Sequence, residues 1–271
     1  MIKHLGRRER HILVGVFLAI VIPAMIGYGL TGSPLLVVFA MPSVVALALT
    51  AASPNRRSIA AGLGIRRTSV GSICLAIAAA VVPIAVGVVV LVACRLDRLP
   101  ATTDWLLPIG AWHVLSGLRQ GVFEEIGWRG FLQPQLTALF DIRRAVLLTG
   151  LAWAVFHYGL IIGGGAPGGA PLWLYLPIFT FTLIAVSVFA GYLRQITGSV
   201  WPAVALHAAN NIASGYVDQL LISGSHPAVA EILGDTTGLL CWLIPAWWAW
   251  TRLRRIDASN AMTSIERVEN S

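Results

Sequence analysis

Apolar runs recur along almost the whole chain, each close to the roughly 20 residues that cross about 30 Å of hydrocarbon. In order they predict helices over His11–Leu30, Leu35–Ala52, Val70–Cys94, Trp105–Ile126, Ala145–Ile162, Leu172–Leu193, Val200–Ile222 and Leu239–Thr251. The last is short for a span, or tilted. The expected fold class is therefore all-α, a polytopic membrane helix bundle of about eight transmembrane helices. Residues 1–255 read as a single bundle with its chemistry within 119–215, and residues 256–271 as a polar, disordered cytoplasmic tail. No internal repeat is visible.

Composition supports this reading. Of 271 residues 57% are hydrophobic and 11% charged, against about 25% charged in soluble domains, so no soluble domain of useful size is left over. The basic residues set the orientation, because cytoplasmic loops collect Lys and Arg. With a cytoplasmic N-terminus, the inner segments hold Lys3, Arg7, Arg8, Arg10, Arg56, Arg57, Arg66, Arg67, Arg143, Arg144, Arg194, Arg252, Arg254, Arg255 and Arg267, fifteen of 19. The outer loops hold Arg95 and Arg98, and Arg119 and Arg129 lie in or beside the fourth span. A multi-pass protein of the cell (plasma) membrane with both termini cytoplasmic is expected.

The net charge of +7 then reports topology and attraction to anionic lipid, and requires no nucleic acid. The basic start and long apolar run at the N-terminus read as a retained signal anchor. Cys74, Cys94 and Cys241 form an odd set without short spacing, which suits buried small hydrophobes better than a disulfide framework or zinc knot. The Gly-rich stretch from Ile161 to Ala170 lacks the Lys-Ser/Thr ending of a phosphate loop and reads as a flexible outer loop.

Against this apolar background the ionisable groups stand out, each costing from about 2.5 kcal/mol upward within a span. Glu124, Glu125 and Arg129 sit at the fourth span, His157 in the fifth, and His207 with Asn210, Asn211 and Asp218 in the seventh. At 1.5 Å per residue, Glu124, His157 and His207 all fall in the cytoplasmic half of the bilayer. Glu125 and Arg129, four apart, share a helix face and can neutralise each other. Glu124 points about 100° away and is left as the free carboxylate, suited to act as a general base. Trp153 lies one turn before His157, and His207 and Asn211 share a face, where the Asn211 amide can fix a ring or donate to an oxyanion. His113, His226, Asp218 and Asn210 read as structural. An interhelical polar clamp would need fewer costly groups than Glu124, His157 and His207 with their neighbours represent.

The pattern Glu124-Glu125-x-x-x-Arg129, then Trp153 with His157 four later, then His207-x-x-x-Asn211, resembles the three motifs of the CAAX prenyl protease and bacteriocin-processing (Abi) family of intramembrane endopeptidases. The likeness covers about residues 105–222, and Trp153 stands where Phe is commoner. It implies an eight-helix bundle with a polar cavity open to the cytoplasm, cleaving peptide bonds of membrane-associated or C-terminally lipidated substrates. It implies Glu124 as the base that activates water, His157 assisting, His207 and Asn211 stabilising the oxyanion, and Glu125, Arg129 and Trp153 in support. Two mechanisms stay open. Glu124, His157 and His207 could ligate a divalent metal such as zinc with a fourth position for water, or orient water without a metal; the metal-free version is favoured.

The sequence has no His-Glu-x-x-His, no Gly-x-Ser-Gly, and no Gly-x-Gly-Asp context at Gly234-Asp235. Two other functions could use the same residues: a non-catalytic immunity or scaffold member of the family, and a proton-coupled transporter with a carboxylate–histidine relay. The expected partners are a peptide or protein substrate and the bilayer.

Overall fold

The computed structural model describes residues 5–32, 35–52, 59–100 and 106–269. Long helices follow the apolar runs: α1 (Arg7–Thr31), α2 (Leu35–Ala52), α4 (Val70–Ala93), α5 (Leu106–Glu125), α7 (Ile142–Gly164), α8 (Leu172–Thr197), α9 (Trp201–Leu220) and α10 (Pro227–Glu269). Two short helices, α3 (Ile59–Gly62) and α6 (Gln133–Leu139), complete the set. Lys3, Arg56, Arg57 and Trp105 lie outside the described residues.

Helix ends follow local chemistry. Asp141 accepts the Arg144 amide at 2.8 Å and caps α7, satisfying a donor left open by the first turn. Gly198 ends α8 at φ 63°, and Pro202 opens α9 within its first turn, where a missing N–H does no harm.

Five helices are long and apolar enough to cross a membrane: α1, α4, α7, α8 and residues 227–259 of α10. Large apolar side chains such as Leu30, Val70, Trp173, Ile244 and Trp247 face outward, as lipid contact requires. Helices α5 and α9 have 20 residues each but carry the polar residues picked out above, which lower their hydropathy. They pack on each other, with α2 also against α5 and α4 also against α9, while α5 turns Trp112, Leu115 and Leu118 outward. An aromatic cluster binds α1 to the site region: Phe17 meets Trp128 and Phe131 at 5.6 and 5.3 Å, and Trp128 meets Phe156 at 5.5 Å between ring centroids.

Three expectations change. The fourth helix does not end at Ile126 but passes through a π-helical segment, Ile126–Leu132, into α6. The last helix is not confined to Leu239–Thr251. No Gly or Pro interrupts Ile256–Glu269, so nothing stops the backbone helix there, and the polar tail is continuous with α10. Asp257 ties this extension down by accepting from the Ile142 amide at 3.0 Å and from Arg143 at 2.9 Å. Finally, Cys74 and Cys94 are exposed and Cys241 half-buried, so none of the three is a fully buried core residue; a small thiol suits an outward position as well as a core one.

The two ends of the bundle differ. At one, strand β1 (Asp97–Arg98) pairs antiparallel with β2 (Ile222–Ser223), Asp97 opposite Ser223. This clips the α4–α5 and α9–α10 connections together. Gly168 of the α7–α8 connection, φ 60°, packs against the Pro227 carbonyl, which a Cβ would meet at 2.7 Å. At the other end, the Val200 amide donates to Gly64 at 2.9 Å, Ser199 Oγ to the Arg66 carbonyl at 2.7 Å, and Arg66 to the Thr197 carbonyl at 2.6 Å.

Candidate active site

Close approach of α5 and α9 assembles the site. A Cβ at Gly121 would meet the Val204 carbonyl oxygen at 2.9 Å, and one at Gly117 the Ala208 carbonyl oxygen at 3.0 Å. Small residues at such a crossing let two backbones meet. One turn beyond, Glu124 and Glu125 face His207.

The two carboxylates have different surroundings, and both are fully buried. Glu125 Oε1 accepts from Arg129 at 2.7 Å and lies 3.0 Å from His207 Nδ1. An Nδ1–H donating there leaves Nε2 as the free nitrogen, and Nε2 lies 4.0 Å from Glu124 Oε1. Glu124 Oε2 accepts from the indole N–H of Trp153 at 2.7 Å and of Trp128 at 3.4 Å. Glu124 Oε1 has no hydrogen-bond partner among the described residues. With both carboxylates ionised, Arg129 balances one negative charge, and a proton on His207 would balance the other. The Arg129 guanidinium also stacks 4.4 Å over Trp153, a cation–π contact that holds the indole in place.

His157 sits on the same side as His207, against the same tryptophan. Its Nδ1 bonds the Trp153 carbonyl at 2.9 Å, so Nδ1 carries the hydrogen and Nε2 is the open nitrogen. Trp153, Phe156 and Phe179 surround the ring, with centroids 5.9, 5.3 and 5.8 Å away. Asn211 donates from Nδ2 to Gln120 Oε1 at 2.9 Å, and Gln120 Nε2 donates to Ser116 at 3.1 Å. One Asn211 amide hydrogen remains for a ligand.

A cavity of about 690 Å3 runs along this group. Gln120, Trp153, His157, His207, Asn210 and Asn211 line one part, His113, Asp218, Glu231, Asp235 and Asp97 are polar groups of another, and apolar side chains such as Phe39, Leu91 and Phe179 contribute much of the remainder. Asn210, His113 and Asp218, read above as structural, thus face the cavity. His113 also packs its ring on Tyr216 at 5.9 Å, and His226 is exposed beyond β2.

Glu124, Glu125, Arg129, Trp153, His157, His207 and Asn211 are therefore neighbours in space, drawn from α5, the π segment, α7 and α9. Two members escaped the sequence reading, Gln120 and Trp128. They stand four residues before and four after Glu124, so the helical spacing that paired Glu125 with Arg129 would have found both. Trp153 was read through its place beside His157, whereas its N–H is committed to Glu124.

The candidate metal set Glu124, His157 and His207 does not assemble as a ligand group. No three His, Cys, Asp or Glu side chains among the described residues are grouped as a metal ion requires. His207 is bound through Nδ1 to Glu125, and Glu124 through Oε2 to two indoles. These bonds leave Glu124 Oε1 and the Nε2 atoms of His207 and His157 open, but the three side chains are not clustered as a metal ion would need.

Residues 105–213 match the family model described as type II CAAX prenyl endopeptidase Rce1-like. None of the curated proteins matches the chain. The matched region contains all three motifs and every residue around the two carboxylates, and over that region the chain is similar to the Rce1-like CAAX prenyl endopeptidases.

Proposed function

We propose that the chain is an intramembrane endopeptidase that cleaves peptide bonds of membrane-associated or C-terminally lipidated substrates with water activated by Glu124. The observation that supports this most is the asymmetry of Glu124. Two indole N–H groups hold one carboxylate oxygen, and the other, buried and without a hydrogen-bond partner among the described residues, faces His207 beside the cavity.

In this reading water binds between Glu124 Oε1 and the substrate carbonyl. Glu124 takes one proton from the water, whose oxygen bonds to the carbonyl carbon. The tetrahedral oxyanion is stabilised by the remaining Asn211 amide hydrogen and by a His207 that carries a proton on Nε2 as well as on Nδ1, and His157 assists at the wall of the cavity. The C–N bond then breaks, and the proton held by Glu124 passes to the leaving amine, so the carboxylate is regenerated. Glu125 and Arg129 hold His207 and Trp153 in position. Glu124 alone serves as the base, and the chemistry needs no metal. The protein would act in the plasma membrane with both termini in the cytoplasm.

Purified wild-type protein and the Glu124→Gln and His157→Ala variants, offered membrane-proximal and prenylated peptides with and without chelator, test this. Cleavage by the wild type alone, unchanged by chelator, is expected. Equal cleavage by Glu124→Gln would sink the assignment of the base, and loss of wild-type cleavage in chelator would sink the metal-free chemistry. pH-dependent flux through liposomes that disappears with Glu124 would favour the transporter instead.

A further inference from the structure

The cavity is one-sided. Besides the site it is lined by Asp97, Gly168, Tyr175, Asp218, Ser223 and Pro227, which come from β1, the α7–α8 connection, the start of α8, the last turn of α9, β2 and the start of α10. All belong to the end where β1 and β2 pair. None of its lining residues falls within 59–69, 126–149 or 193–204, the segments that form the opposite end.

Among the described residues the opposite end is tightly packed. The π segment Ile126–Leu132 is buried throughout, and Leu63, Ser199 and Val200 are buried beside it. Arg194 Nε donates to the Arg129 carbonyl at 3.0 Å, and a Cβ at Gly130 would meet the Leu63 carbonyl oxygen at 2.9 Å. Hydrogen bonds also join Gly64, Arg66, Thr197, Ser199 and Val200 there. The packed end also carries Arg66, Arg67, Arg143, Arg144 and Arg194, whereas the open end carries Arg95 and Arg98. Basic residues mark the cytoplasmic side of a bilayer.

We infer that the candidate site is reached from the extracytoplasmic side of the membrane, so that its substrate is a peptide segment presented at the outer face, not the inner. The inference rests on the peptidase reading for the word substrate, and on the cavity and the charge asymmetry for the direction. It reverses the cytoplasmic opening that the family resemblance implied.

Cysteine labelling in right-side-out and inverted membrane vesicles tests the direction. Cys74, Cys94 and Cys241 are first replaced by alanine in the full chain. Single cysteines are then introduced as Ser214→Cys in the cavity beyond Asn211, Ser223→Cys at its mouth, and Arg67→Cys at the packed end. With a membrane-impermeant maleimide, Ser214→Cys and Ser223→Cys are expected to label in right-side-out vesicles, and Arg67→Cys only in inverted ones. Labelling in detergent confirms that each variant is present and reactive. The reverse pattern would overturn the inference, and so would Ser214→Cys labelling from neither face while Ser223→Cys labels, since no aqueous path would reach the site. Labelling needs no catalysis. The expected pattern from a protein that cleaves nothing would leave the direction standing and remove the peptidase reading; the reverse pattern with Glu124-dependent cleavage would do the opposite.

Discussion

Glu124 makes both of its hydrogen bonds through one oxygen, to Trp153 and Trp128, and this leaves the other oxygen to act. A hydrogen bond to a charged group contributes about 1.5–3 kcal/mol. Replacing Trp153 by Phe keeps an aromatic ring for Arg129 to stack on while removing the N–H donor along with part of the indole's volume. The variant is expected to stay folded and to lose on the order of tenfold or more in kcat/KM, since about 1.4 kcal/mol corresponds to tenfold in rate. Peptide cleavage alongside a thermal unfolding trace checks both halves. Glu125 has a different task, because Arg129 is fully buried and its ion pair at 2.7 Å is in the core. Removing one partner of such a pair costs about 3–5 kcal/mol, whereas replacing both with apolar residues is often neutral. Glu125→Ala should therefore lower Tm strongly, and Glu125→Leu combined with Arg129→Met should recover much of the loss. Equal Tm for the single and double variants would contradict the pairing.

At the scale of elements, the site depends on how near α5 and α9 come. Gly121 sits where a side chain would strike the Val204 carbonyl. Gly121→Val is expected to push the helices apart, at about 1–3 kcal/mol for overpacking, and to abolish cleavage through displacement of His207 from Glu125. Gly121→Ala should fall between it and the wild type in both cleavage and Tm. The π segment begins one residue after Glu125, and segments of this kind occur often at functional sites. Much of this level could be read from the sequence. Each apolar run became a helix, and the spacing of Glu125 with Arg129 gave their ion pair. What stayed hidden depends on distances between helices. Spacing placed Trp153 near His157, but only the packing of α7 on the π segment shows its N–H at Glu124. The possibility that Glu124, His157 and His207 share a metal also turned on inter-helix geometry, which a linear pattern does not contain. The last helix was misjudged because hydropathy marks where lipid contact ends, and a helix without Gly or Pro can continue beyond that point.

For the whole molecule, two ends of opposite character organise the bundle: a basic end joined by backbone and arginine hydrogen bonds, and an end with three clipped connections onto which the cavity runs. Asp257 fastens the C-terminal extension of α10 to the basic end through α7. Loss of a capping carboxylate costs about 1 kcal/mol, so Asp257→Ala should lower Tm modestly and hasten proteolysis of the extension while cleavage activity persists. A drop in cleavage as large as that of Trp153→Phe would mean that the extension reaches the site. The role of Glu124 as the base is tested most directly in whole membranes, where the substrate need not be identified beforehand. Membranes from cells making the wild type or Glu124→Gln at equal levels are compared by mass spectrometry for newly formed peptide termini. New termini in membrane-anchored proteins that appear with the wild type and are missing with Glu124→Gln are the expected result. An identical set of termini from both would contradict a peptidase whose base is Glu124.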